Sequence, residues 1–409
     1  MIKLQQNRWL NFSLFNLALV ALLGVLMRYK IGFEFPYFDQ KNIQHAHSHF
    51  AFSGWITHTI FVLLTVFIQH YISPAAIQKY ILLIIANVIC AYGMLISFAA
   101  QGYGAVSIFF SSASVLAGWL FSFYYFKDLK HVEKHHPSQK WFKAAMLFNV
   151  ISAFGTFALA YMMATKNIPQ NAYLASVYFY LHFQYNGFFF FACMGLLYTQ
   201  LYRYLPDSGA SHRIFWLFAL ACIPAYFLSI LWAGPPVWLY TIIVLAAAAQ
   251  LLAWVKFLVF IRQNIHLLKS RIPPVWQYLF LLTGIALSIK LVLQMGSTIP
   301  VISQLAFGFR PIVIAYLHLV LLAVISIYLL TYIFSFEVIT KRKNSKTALW
   351  VFVFGVFLNE FILMIQGVFS FSYTLVPFVN EALFVAAIIM FTSIAALFII
   401  QAKNKALYD

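Results

Sequence analysis

Three histidines alternate at the front of one long apolar run, His45-Ala46-His47-Ser48-His49, and a fourth, His58, follows inside it. Imidazole is the commonest metal ligand among side chains and titrates near neutrality. Ionisable groups at membrane depth are costly and mark function by default. Two more apolar runs carry one histidine each, within Tyr180-Leu181-His182-Phe183-Gln184-Tyr185-Asn186-Gly187 and Tyr316-Leu317-His318-Leu319. On a helix, residues four apart share a face. His45 and His49 therefore look one way and His47 the other, whereas His47 and His58, eleven apart, are only about 20° apart in rotation. His182 shares its face with Tyr185 and Asn186. An imidazole and a phenol one turn apart can pass a proton or a hydrogen atom, and Gly187 has no side chain to exclude a flat group. Each histidine has a plainer alternative: hydration at the interface for His45 and His47, or a buried bond to a carbonyl or hydroxyl for the others.

Two further charges fall inside apolar runs. Lys290 either snorkels to the interface or has a buried partner. Glu360, beside Asn359 and six residues before Gln366, is too central to snorkel, so it is expected to be protonated or paired. With Tyr185 it is a candidate for proton handling. Cys90, Cys193 and Cys222 lie far apart in apolar runs without a CxxC pattern, which indicates neither a zinc site nor a disulfide framework.

The elements that must position these residues follow from composition. Of the 409 residues, 64% are hydrophobic and 9% charged; an ordinary soluble domain carries about 25% charged residues. The apolar runs reach the ~20 residues that cross a bilayer as a helix, and they lack the alternation of barrel strands. The expected fold is all-α, a polytopic membrane bundle forming a single transmembrane domain over 1–409. Twelve spans are expected, near 9–27, 47–72, 79–101, 104–126, 141–165, 174–202, 212–232, 236–261, 275–296, 311–336, 347–370 and 380–402. The first lacks a small-x-small cleavage site and reads as a retained span.

The net charge of +17 sits in short loops, which is topology information and argues against nucleic acid. Lys and Arg concentrate on the N-terminal side, including Lys3, Lys341, Arg342 and Lys405, so both termini are expected in the cytoplasm. That orientation places His47, His49, His182 and His318 in the outer half of the membrane.

Twelve spans with histidines on spans two, six and ten resemble subunit I of the haem–copper oxidase superfamily, nitric oxide reductases included. His47-x-His49-x4-Gly54-Trp55 is similar to the second-span motif of its short members and of related twelve-span haem proteins. The resemblance implies a low-spin haem on His47 or His49 and an axial haem ligand in His318. It implies a second metal, copper or non-haem iron, at His182. The deeper His58 is grouped with the cofactor-binding candidates. It also implies an oxidoreductase of the respiratory chain in a bacterial inner membrane, handling oxygen or nitric oxide and fed by an electron-donor protein or cytochrome. Span seven lacks the family's His-His pair and span ten carries one histidine where the family has two, which implies an incomplete binuclear centre. The competing readings are a twelve-span secondary transporter without a redox cofactor and a structural or assembly subunit.

Overall fold

The structure is a computed structural model describing residues 4–33, 35–205, 210–339, 343–370 and 372–403, without the side chains of 210 and 305–308. Lys3, Lys341, Arg342 and Lys405, four of the residues used to orient the chain, lie outside the described residues. Among the described residues the regular structure is entirely helical.

Eleven helices are long and apolar enough to cross a membrane. They are α1 (Gln6–Gly32), α2 (Gln40–Ile68), α3 (Pro74–Gln101), α4 (Ala105–His131), α5 (Ser138–Thr165), α7 (Ser211–Ala233), α8 (Val237–Gln263), α9 (Pro274–Gly296), α10 (Arg310–Ser335), α11 (Ser345–Ser370) and α12 (Val379–Ala402). Between α5 and α7 lies α6, residues 170–201, also one uninterrupted helix. Its tyrosines, His182, Gln184 and Asn186 keep it less apolar than the eleven. The chain is an integral membrane protein of many helical spans, as lipid requires when every backbone group must be satisfied internally.

Local signals set the helix ends. The Asp39 carboxylate caps α2 by accepting from the Asn42 N–H at 2.9 Å. Pro74 and Pro274 open α3 and α9, where a missing N–H costs nothing. Gly102 ends α3 at φ +64°, a left-handed turn that glycine adopts freely.

The chain forms two compact units. The first comprises Met1–Phe121 with Tyr332–Asp409, and the second comprises Ser122–Thr331. In the first, α12 packs on α1 and α11, and α2 packs on α1 and α3. In the second, α5 packs on α6, α8 on α7 and α9, and α9 on α10. Lipid tails give helices no hydrophobic reason to associate, so close backbone approach matters more. A Cβ on Gly155 of α5 would stand 2.6 Å from the Ser176 carbonyl and 2.8 Å from the Tyr180 nitrogen of α6. Trp141 of α5, wholly buried, stacks on Tyr198 of α6 at 5.4 Å.

Candidate functional sites on three helices with π segments

The three histidine-bearing helices share a feature. Each is α-helical at one end, then widens into π-helix: Ala51–Thr57 in α2, Phe183–Phe189 in α6 and Leu319–Ser326 in α10. The π segments of α6 and α10 start at the residue after His182 and after His318. That of α2 lies between His49 and His58. π-Helix makes up well under about 1% of residues in globular proteins and gathers at functional sites. The sequence gives no common warning. Ser53-Gly54 and Asn186-Gly187 supply small and polar residues in two of the segments, but Leu319–Ser326 is apolar up to its last residue.

Within the first unit, neighbouring helices brace the π segment of α2. The His58 N–H reaches back five residues to the Ser53 carbonyl. Asn87 of α3 donates to that same carbonyl at 3.0 Å. Asn16 of α1 donates to the Gly54 carbonyl at 2.6 Å and accepts from the Tyr92 hydroxyl of α3 at 2.7 Å. The wide turn leaves carbonyl lone pairs within reach of side chains, and buried amides take them up.

His47 and His58 both lie against α1. His47 donates from Nδ1 to the Val20 carbonyl at 3.1 Å. A carbonyl only accepts, so Nδ1 carries a proton, and in the neutral ring Nε2 is the nitrogen with the lone pair. His58 is wholly buried, its ring 5.8 Å from Trp9 and 5.6 Å from Phe12. Among the described residues neither of its ring nitrogens makes a hydrogen bond of good geometry; the Trp9 backbone lies near as an acceptor for its proton. His45 and His49 turn the other way, toward α3. The His49 ring stacks on Phe98 at 4.2 Å, and its Nε2 hydrogen-bonds the Tyr103 hydroxyl at 3.2 Å. Glu360, on α11 and half-buried, accepts from the adjacent Asn359 at 3.1 Å.

Within the second unit, His182 is 2% exposed and uses both ring nitrogens. Nε2 donates to the Cys222 carbonyl of α7 at 2.8 Å, and Nδ1 accepts from the Asn186 amide at 3.1 Å. The Cys222 thiol in turn donates to the Asn186 carbonyl at 3.7 Å. His182 is thus a strut that ties the start of a π segment to α7. His318 has the opposite tautomer. It donates from Nδ1 to the Ile314 carbonyl of its own helix at 2.9 Å, which leaves the lone pair on Nε2. Tyr185 lies near α10, its ring 6.5 Å from that of Tyr316, two residues before His318. The space beside Gly187 is filled: a Cβ there would stand 2.6 Å from Phe148 of α5, so a ring of the protein takes the place expected for a flat cofactor.

These arrangements can be set against the groups that the resemblance implies. A haem ligand needs a neutral imidazole with one lone pair, oriented by a hydrogen bond from its other nitrogen. His47 and His318 have the orienting half of that arrangement, an Nδ1–H held by a backbone carbonyl. A metal at His182 would have to break one of two good hydrogen bonds, and among the described residues no group of three or more His, Cys, Asp or Glu converges. The residues do not fit copper or non-haem iron at His182.

Sequence reasoning passed over the parts played by Val20, Asn16, Asn87 and Cys222, because each makes its bond through a backbone carbonyl, which leaves no trace in residue type. Comparison with family models gave no match, and neither did comparison with curated proteins.

Proposed function

We propose that the chain is an integral membrane haem protein in which His47 and His318 supply imidazole ligands. In this reading α6 also crosses the bilayer, giving twelve spans with both termini cytoplasmic. The observation that carries it is the coincidence of three π segments with the three histidine-bearing helices. Haem, when bound, would supply one-electron chemistry or a site for a diatomic gas. The chain's part is to hold two neutral imidazoles with Nε2 as the basic nitrogen. The Val20 and Ile314 carbonyls do this by accepting the Nδ1 protons, which also raises the basicity of the ligating nitrogen. Aromatic rings pack on the other α2 histidines: Trp9 and Phe12 of α1 on His58, and Phe98 of α3 on His49. His182 is a structural strut in this proposal, so no binuclear centre is included. Respiratory electron transfer or oxygen and nitric oxide handling is the role this chemistry suits.

The test is an absorption spectrum with pyridine–haemochrome and metal analysis on protein purified in detergent from haem-replete cells. A Soret band that His47→Ala and His318→Ala each shift or abolish supports the assignment. Pure, folded protein without haem refutes it. The buried chain Lys290–Gln294–Gln250 favours a second reading, a transporter without redox cofactor; solute uptake by pigment-free proteoliposomes would decide for that reading.

A further inference from the structure

Within the second unit, a narrow cavity is lined by Tyr185, Asn186, Gln250, Lys290 and apolar side chains of α7, α9 and α10. It has room for a water-sized guest, not for a porphyrin. Lys290 is 5% exposed, so it does not snorkel. Its Nζ donates to Gln294 Oε1 at 2.6 Å, and Gln294 Nε2 donates to Gln250 Oε1 at 2.6 Å. An ammonium can only donate, which fixes the direction of this chain. Gln294 must accept from Lys290 and give its own N–H onward, so Gln250 is left with its NH2 group as the open end. Asn186 spends one N–H on His182 and keeps a second. Two N–H groups of Lys290 remain beyond the one given to Gln294. The wall is therefore rich in donors.

Among the described residues no carboxylate pairs with Lys290. Between Glu133 and Glu337 the sequence holds one acidic residue, Asp207, which lies in the loop before α7 and outside the described residues. A buried cation without a counter-ion is expensive. We infer that this cavity binds a small monovalent anion of halide size, held by Lys290 together with the Gln250 and Asn186 amides. Such an ion supplies the missing charge and accepts several donors at once. The inference stands apart from the haem reading, because none of these residues is a proposed haem ligand.

The experiment is equilibrium binding of 36Cl− to detergent-purified protein in gluconate buffer, gluconate being too large for the cavity. One saturable site per chain is expected. Lys290→Met should abolish it, and Gln250→Leu should weaken it about tenfold, the effect of one hydrogen bond to a charged group. Val324→Phe fills the cavity without touching Lys290 and should also abolish binding, which covers the case in which Lys290→Met fails to fold. Absence of saturable chloride binding to the wild-type protein overturns the inference. So does full binding by folded Lys290→Met or Val324→Phe. Haem content, measured on the same samples, is expected to be unchanged throughout.

Discussion

The Asn16 side chain is the keystone of the α2 π segment, and Asn16→Leu is the sharpest perturbation of it. Asn16 is wholly buried, and leucine keeps its branched four-atom skeleton while removing every polar atom. Two hydrogen bonds go: the one given to the Gly54 carbonyl at 2.6 Å and the one taken from the Tyr92 hydroxyl at 2.7 Å. In a soluble protein each orphaned group would cost about 1–3 kcal/mol. In a membrane the unfolded state finds partners too, and measured couplings average about 0.6 kcal/mol with a maximum near 1.7. Two bonds place the expected loss at about 1–3 kcal/mol. The assay is equilibrium unfolding in mixed dodecyl maltoside and SDS micelles, followed by circular dichroism. A double-mutant cycle with Tyr92→Phe isolates the shared bond and should return about 0.5–1 kcal/mol of coupling. An Asn16→Leu protein within about 0.5 kcal/mol of wild type would show that the π segment needs no brace, and the account of its carbonyls would fall.

If His182 is a strut, His182→Leu lowers stability by about 1–3 kcal/mol, since the Cys222 carbonyl and the Asn186 amide lose their partner in the low dielectric. The spectrum of any bound haem should stay unchanged, and a lost or shifted Soret band would return His182 to the ligand set. The loop before α5 gives a pH effect. Burial and the nearby Arg203 lower the pKa of His136 from its ordinary 6.5, with Glu133 opposing them. Its Nδ1 also accepts from the Ser138 hydroxyl at 2.6 Å, a bond that protonation breaks. A histidine pKa lowered by folding means that the unfolded chain binds more protons. Its contribution is therefore complete above pH 6.5 and is lost as pH falls from there toward the lower folded value. The unfolding midpoint should drop as pH falls through that window, and less steeply in His136→Asn; equal slopes would exclude His136 as the cause.

Composition and run length settled the class of this protein from the sequence, because a chain with 9% charged residues cannot hydrate a globular surface. They also gave the positions of eleven helices, since twenty apolar residues in lipid have one way to satisfy their backbone. The division of the α2 histidines was legible too. Simple rotation sends His45 and His49 to one side and His47 to the other, and the helix meets α3 and α1 on those sides. What rotation could not supply were the partners. His47 and His318 meet a backbone carbonyl with Nδ1 and His182 with Nε2, and that choice decides which nitrogen carries a proton. It depends on a carbonyl of α1, α7 or the preceding helical turn arriving within 3 Å or so, a matter of packing that no spacing of residues encodes. The π segment of α2 belongs to the same category: Asn16 and Asn87, distant from it in sequence, come to rest against carbonyls that a regular α-helix would have kept for itself.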